Sequence, residues 1–361
     1  MFLSSRKVVF TGVSAVIVFV VSLAATYHVA VKHKFSTSFF TNTTKQTTAF
    51  IEDWTPGWTT EQLEPRFAYV QYATDMDYLC NTIINFSRLS GFGVHNDMVL
   101  IYPENWDDKK NAPREYAAVQ AVRVNYPHLV MRPFEILSTT HGDATWHNSL
   151  TKFHAFALTE YTRVLAFDSD SLVLNNMDHY FLAPLAAIAV PRAYWLNENE
   201  TSINDQILGS HVMLLEPNEN RYKRVIQEAV SSGAFDMEVI NHLFKGSAMI
   251  LPHRRLALLT GEFRSTDHRK YLDDETDDEE WNAMAEVSRA YLVHFSDWPL
   301  PKPWKPRTQE QWKSVQPVCP PDDVEREDRP RCADQVMWSG FYESYDRDKG
   351  KKCGILANEN L

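Results

Sequence analysis

The hydrophobic positions of residues 66–306 follow two spacings that alternate along the chain. Short, mostly apolar runs are typical of buried strands, and apolar residues three or four positions apart are typical of helices. The predicted strands are 67–72, 98–102, 128–131, 163–167, 186–190, 212–215 and 291–295. The predicted helices are 75–89, 111–123, 150–161, 220–230 and 235–244. The alternation predicts an α/β domain with a mixed, mainly parallel sheet.

Residues 8–31 form an apolar stretch of 24 residues without a formally charged side chain. A helix that spans a bilayer needs about 20 such residues. The stretch predicts an uncleaved, single-pass membrane anchor, with residues 1–7 as a cytoplasmic tail and residues 32–65 as a luminal stem. The competing interpretation is a cleaved signal peptide, but the apolar run is longer than the core of a typical signal peptide. Residues 307–361 are predicted to pack back on the domain.

Glycosylation sequons and cysteines both favour a luminal location for the domain that follows the apolar stretch. Asn42, Asn85 and Asn199 each begin an Asn-x-Ser/Thr sequence, the acceptor site for glycans in secreted proteins. Asn85 lies inside a predicted helix. Cys319 and Cys332 flank a loop rich in proline and charge, and a local disulfide between them would require an oxidising compartment.

The net charge of −11 argues against a nucleic-acid-binding surface, because such surfaces are basic. Much of this charge lies in the acidic run 273–280, which is most simply a solvated loop.

Candidate chemistry begins at Asp168 and Asp170, which follow the predicted strand 163–167. On a continuing strand the two side chains would point to the same face, where like charges repel and resist burial. A divalent cation with oxygen ligands would remove that conflict. The alternative is a turn with two solvated aspartates. Ligands of such sheets bind at the carboxyl ends of the strands, where this pair is predicted to lie.

A second informative stretch is 294–304, at the end of the last predicted strand. His294 is a possible metal ligand, since neutral imidazole binds metals. Lys302 can meet a phosphate as a point charge, in a loop stiffened by several prolines.

Together these motifs resemble the retaining glycosyltransferases of family 8, the glycogenin-like enzymes, over roughly residues 66–306. The segments that carry the resemblance are the Asp-x-Asp at 168–170, the His…Lys-Pro-Trp at 294–304, and the segments 72–79, 151–156 and 236–241. The segments 210–213 and 294–304 are also similar to a fungal branch, the Golgi N-acetylglucosaminyltransferases of yeasts and moulds.

The resemblance implies a nucleotide-sugar fold of the GT-A type and a role for each matching residue. Asp168, Asp170 and His294 would be the protein ligands of a Mn²⁺ ion. The implied nucleotide and diphosphate contacts are Tyr72, Thr74, Tyr78, Lys152 and Lys302. The implied donor-sugar contacts are Asp236, Asn241 and Ser210. Other interpretations stay open: Tyr78 could belong to the core, Lys152 to the surface, and Asp236 could only cap its helix.

The implied function is transfer of N-acetylglucosamine from UDP-GlcNAc to a mannose-containing glycan in the Golgi. Met237 departs from the family, because many relatives have Gln there, and Leu208–Gly209–Ser210 stands where relatives often have Asn-Ser-Gly. Both departures fit a donor that carries a bulkier N-acetyl group. No residue clearly fills the role of a catalytic nucleophile.

Three alternatives to this function remain. The same scaffold could use UDP-glucose or UDP-galactose, or it could be a catalytically inactive structural relative. A phosphatase of the haloacid dehalogenase type also has Asp-x-Asp at a strand end, but on the first strand of its domain. Here about 100 residues of α/β pattern precede the motif.

Overall fold

The computed structural model describes residues 65–139, 147–197, 202, 204–273, 280–319 and 332–357. Within these ranges no helix is both long and apolar enough to cross a membrane. The predicted tail and anchor, the predicted stem up to residue 64, and the sequons at Asn42 and Asn199 lie outside the described residues.

Ten strands form two sheets within the described part of the chain. The strands are β1 Phe67–Tyr72, β2 Asp97–Pro103, β3 Leu129–Phe134, β4 Arg163–Phe167, β5 Ser171–Val173, β6 Ile188–Pro191, β7 Val212–Leu215, β8 Met249–Leu251, β9 Leu258–Leu259 and β10 Leu292–His294. The main sheet has the order β3-β2-β1-β4-β7-β6-β8, and the second has the order β5-β10-β9. In the main sheet only β7 runs antiparallel to its neighbours, so the predicted mixed, mainly parallel α/β sheet is confirmed.

Helices fill the connections between the strands. The α-helices are α1 Met76–Gly91, α2 Pro113–Asn125, α3 Glu219–Ser232, α4 Asp236–Phe244, α5 His253–Leu256, α6 Arg269–Leu272, α7 Ala283–Arg289, α8 Gln309–Val315 and α9 Ala333–Lys352. Short 3₁₀ helices occur at Glu104–Asp107, Ser149–Ala157, Asp178–Leu182, Tyr194–Leu196, Thr260–Arg264 and Cys353–Ala357.

The segment predicted as a helix over 150–161 is instead the 3₁₀ helix Ser149–Ala157. Residues 150–156 are all buried. Their apolar spacing therefore does not mark one stripe of an amphipathic helix, because the segment is enclosed on every side.

The main sheet separates two hydrophobic cores, because successive strand residues face opposite sides. Tyr69 and Leu165 face a core shared with α1 and α2. Val70 and Ala166 face a second core, which is closed by α3, α4 and the 3₁₀ helix Ser149–Ala157.

A third core joins the second sheet to the C-terminal helix α9. Its centre holds a buried carboxylate, Asp297, whose Oδ2 accepts hydrogen bonds from Trp338 Nε1 at 3.0 Å and from the Tyr342 hydroxyl at 2.7 Å. Arg264 Nη1 lies 3.6 Å from the other carboxylate oxygen. Asp297 therefore fastens the loop that follows β10 to α9.

Two disulfides reinforce this arrangement. The predicted local pair Cys319–Cys332 is confirmed. The second pair, Cys80–Cys353, joins α1 to the end of α9 across 273 positions of sequence and has no local signal. Both bonds require an oxidising environment.

Asn85 is predicted as a glycan acceptor, but in the structure its side chain joins two elements of the fold. It is fully buried, its Nδ2 donates to the carbonyl of Ser171 at 2.9 Å, and its Oδ1 accepts from Val173 N at 3.0 Å. The amide nitrogen that a glycan would join thus ties α1 to β5, and the folded domain has no space for a glycan there.

We expect Asp297→Ala to lower the free energy of unfolding by about 3 kcal/mol, because it leaves two buried donors without an acceptor. Urea unfolding of the full chain measures the change. The control is Asp346→Ala on α9, whose side chain is 56% exposed and which should cost less than about 1 kcal/mol. Equal losses for the two variants would contradict this role of Asp297.

Candidate functional site

Strands of both sheets bring polar residues to one edge. The parallel strands β1 and β4 end there, at Tyr72 and just before Asp168. The antiparallel strand β7 begins at the same edge, just after His211. In the second sheet His294 lies opposite Ser171, the residue after Asp170.

The Asp-x-Asp triplet is a turn between the two sheets and not a continuing strand. β4 ends at Phe167, and the next strand, β5, belongs to the second sheet. Asp168 N donates to the carbonyl of His211 at 3.0 Å, and the buried Ser169 hydroxyl donates to the carbonyl of Tyr72 at 2.5 Å. These bonds hold the turn against β1 and β7.

Asp168, Asp170 and His294 form a group that can hold a metal ion, since one ligand atom from each lies within 4.8 Å of the others. His294 Nε2 is 3.2 Å from Asp170 Oδ1 and 3.9 Å from Asp168 Oδ2. Two carboxylates and an imidazole are a donor set that suits a divalent transition-metal ion. The residues present therefore fit the implied cofactor.

Lys152 is buried between two carboxylates. Its Nζ lies 2.5 Å from Asp168 Oδ1 and 2.6 Å from Asp236 Oδ2, and the side chain is 4% exposed. The interpretation of Lys152 as a surface lysine is therefore wrong. The lysine neutralises the site on the side away from His294.

Lys302 neutralises the other aspartate of the triplet. Its Nζ lies 2.7 Å from Asp170 Oδ2 and donates to the carbonyl of Phe295 at 2.5 Å. The loop after β10 thus folds back over the triplet.

Charges and burial set the protonation of this group. Burial raises the pKa of Asp168 to about 6, although the ammonium of Lys152 opposes the shift. Burial acts on Asp170 in the same direction, but Lys302 and His294 outweigh it and hold the pKa of Asp170 well below its usual value. Burial alone would lower the pKa of Lys152, yet the two carboxylates beside it raise it. Asp170 and Lys152 are therefore charged at neutral pH.

The predicted uridine contacts lie on one wall of a cavity of about 1040 Å³. Tyr72, Thr74 and Tyr78 line it. The rings of Tyr72 and Tyr78 are stacked with centroids 6.4 Å apart, and Trp304 meets Tyr78 edge-on at 5.2 Å. A stacked aromatic wall of this kind can receive a flat base.

The three predicted donor-sugar residues occupy different positions. Asp236 and Ser210 line the cavity, and the Ser210 hydroxyl donates to Asp236 Oδ2 at 2.6 Å. Asn241 is not among the lining residues. Its side chain forms hydrogen bonds with both backbone groups of Leu208 and with the carbonyl of Met237. Its predicted contact with the sugar stays a prediction.

No protein-family model matches the chain, but curated relatives do. A protein of Gibberella zeae named glucose N-acetyltransferase 1 is 41% identical over 294 residues, which cover 80% of this chain and 62% of that protein. An Aspergillus fumigatus protein of the same name is 36% identical over 305 residues, which cover 80% of this chain and 77% of that protein. The chain belongs to this family of fungal glycosyltransferases. The chain spans less than two thirds of the length of the Gibberella relative.

A solved structure agrees with this assignment at the level of the fold. The galactosyltransferase LgtC, in complex with donor and acceptor sugar analogues, matches with a TM-score of 0.52 and 12% identity. The match covers 79% of this chain and 96% of that chain. At this identity the likeness shows the fold alone, and it agrees with the α/β glycosyltransferase fold that the resemblance implied.

The family's motifs do not account for the whole cavity. His211 packs its ring 5.7 Å from that of His294, and Tyr194, Trp195 and Glu262 line the cavity too. Burial, together with the nearby His294 and Lys152, lowers the pKa of His211 to about 3, so its imidazole is neutral. In the sequence, His211 is marked by the segment 210–213, which is similar to the fungal branch and leads into a strand. Tyr194, Trp195 and Glu262 have no such signal.

We expect Lys152→Met to lower the free energy of unfolding by about 3–5 kcal/mol, because two buried carboxylates lose their counter-charge. The double variant Lys152→Met/Asp236→Asn should recover part of the loss. Lys223→Met, which breaks an exposed pair with Glu219, is the control and should change little. Urea unfolding measures the free energy of unfolding of each variant. A loss for Lys152→Met no larger than that for Lys223→Met would contradict the role of Lys152 as the counter-charge of the two carboxylates.

Proposed function

We propose that the chain is a retaining glycosyltransferase that moves N-acetylglucosamine from UDP-GlcNAc to a mannose-containing glycan, with Mn²⁺ as its cofactor. The observation that carries the proposal is the group Asp168, Asp170 and His294, which adjoins the wall of Tyr72, Thr74 and Tyr78 in one cavity. Such a cavity has the parts that a nucleoside diphosphate needs: a flat base site beside a cation site.

The reaction breaks the bond between the sugar C1 and the diphosphate oxygen, which keeps the electron pair. A bond then joins C1 to the acceptor oxygen, whose hydroxyl gives its proton to the departing diphosphate. Asp168, Asp170 and His294 would hold Mn²⁺, which would help to stabilise the negative charge that develops on the leaving diphosphate. Lys302 stabilises the same charge from the loop after β10. Asp236 and Ser210 orient the sugar hydroxyls.

The N-acetyl group of the donor is supported by two observations. Met237 lines the cavity next to Asp236, where the family often has Gln, and an apolar thioether suits an acetyl methyl group. The name of the fungal relatives also couples glucose with an N-acetyl group.

We assign the active domain to the Golgi lumen, in a single-pass type II membrane protein. The apolar stretch 8–31 supports an anchor, and the two disulfides support a compartment that is oxidising. The mannose-containing acceptor rests on the resemblance to the fungal branch.

We expect the full chain in detergent to release UDP from UDP-GlcNAc when Mn²⁺ is present, and to release far less without it. Asp170→Ala removes a predicted metal ligand and should lower the rate by at least about 100-fold. A coupled UDP assay with UDP-GlcNAc, UDP-glucose and UDP-galactose measures both effects. Asp346→Ala, far from the metal group in sequence and exposed, is the matched control.

Other results of the UDP assay would favour one of the alternative functions. Release from UDP-glucose or UDP-galactose alone would keep the metal site and reject N-acetylglucosamine. No release from any donor, together with no binding of UDP, would favour the inactive relative.

We expect the full chain to stay in the membrane pellet after extraction with alkaline carbonate, because about 20 apolar residues suffice to span a bilayer. Deletion of residues 8–31 should move it to the supernatant, whereas deletion of a stem segment of equal length, 35–58, should not. Release of the intact chain by carbonate would contradict the anchor.

A further inference from the structure

The cavity has a wall that the proposed donor site does not use. Tyr194 and Trp195 follow β6, Leu259 ends β9, and Glu262 lies in the 3₁₀ helix that comes next. All four residues line the cavity, and we call them the Trp195 wall.

The Trp195 wall begins close to the metal group. The ring of Trp195 lies 5.8 Å from that of His211, which in turn lies 5.7 Å from the ring of His294. A molecule that rests on Trp195 is therefore next to the place where the sugar of a bound nucleotide must sit.

Trp195 offers a flat apolar surface inside the cavity. The residue is 39% exposed, and the ring of Tyr194 meets it edge-on at 5.3 Å with an interplanar angle of 88°. A fixed aromatic ring can bind with little loss of conformational entropy, and its apolar face packs against flat apolar groups. The C–H face of a pyranose ring is such a group.

Glu262 adds hydrogen-bond acceptors to the same wall. It is 8% exposed, its Oε2 accepts from the Tyr194 hydroxyl at 2.8 Å, and His268 Nδ1 lies 2.8 Å from its Oε1. An ionised carboxylate has about four acceptor positions. Tyr194 and His268 occupy two of them among the described residues, and Glu262 also lines the cavity, where its carboxylate can accept from hydroxyl groups of a ligand.

The charges decide what kind of ligand fits. The same cavity is also lined by Lys152, Lys302 and Lys305, which suit a diphosphate. The Trp195 wall offers aromatic and aliphatic groups and the carboxylate of Glu262. That carboxylate repels anions, so the wall suits an uncharged, hydroxylated ligand.

We propose that the Trp195 wall is the acceptor subsite and binds the terminal sugar of an uncharged glycan. Trp195 stacks on the sugar ring, Glu262 accepts hydrogen bonds from its hydroxyls, and Tyr194 and His268 hold Glu262 in position. The role of the wall as an acceptor subsite rests on the proposed function. The binding of a sugar to the wall does not, since it can be measured without turnover.

The test measures binding of mannotriose, maltotriose and lactose to the full chain in detergent, with UDP and Mn²⁺ present, by saturation-transfer NMR and calorimetry. We expect at least one oligosaccharide to bind, and Trp195→Ala to weaken it about 10-fold or more. Trp195→Phe should recover part of the affinity, and Glu262→Gln should also weaken binding. Phe92→Ala removes an aromatic residue of the same 39% exposure that does not line the cavity, and it serves as the matched control.

In the transfer assay, Trp195→Ala should raise the KM for the oligosaccharide far more than the KM for the UDP-sugar. A larger effect on the UDP-sugar would assign the wall to the donor and overturn the proposal. Absence of binding by all three oligosaccharides, or binding that Trp195→Ala and Phe92→Ala weaken equally, would also overturn it. Binding that depends on Trp195 in a chain that transfers no sugar would uphold the subsite and reject the proposed function.

Discussion

The functional edge of this domain depends on the balance of charge around three buried or nearly buried carboxylates. Burial disfavours the ionised form of Asp168, Asp170 and Asp236, so the fold needs nearby cations to keep them charged. Lys152 stands between Asp168 and Asp236, and Lys302 pairs with Asp170. Neither lysine lies on a strand, so the helix and loop that bring them are as necessary to the site as the sheet itself.

The second lysine makes the C-terminal region part of the site. Lys302 lies in the loop that follows β10, and Asp297 in the same loop is held by Trp338 and Tyr342 of α9. The disulfide Cys80–Cys353 fixes the end of α9 to α1, the helix that carries Tyr78. Packing in the third core therefore helps to set where the ammonium of Lys302 lies.

The features of the fold and the site that could be predicted from the sequence are those that depend on short-range patterns of residues. The bounds of β1, β4 and β7 agree because each is a continuous buried run, and the metal group follows from strand ends meeting at one edge. In the second sheet only β10 is predicted, as the run 291–295, because β5 and β9 have three and two residues and are too short for a pattern to mark. The burial of Asn85, the pair Cys80–Cys353 and the contact of Tyr194 with Glu262, 68 positions away, arise from tertiary packing and have no local signal.

The cavity has both cationic groups and an aromatic wall with a carboxylate, and a glycosyl transfer must bring together ligands that suit each of them. A nucleotide sugar enters with a charged diphosphate, which needs cations, whereas a glycan acceptor is neutral and needs apolar faces and hydrogen-bond acceptors. Three lysines line this cavity, and so do Trp195 and Glu262. Asp236 is linked through Lys152 to Asp168 of the metal group, so under the proposed function the contacts of the donor sugar adjoin the site of the diphosphate.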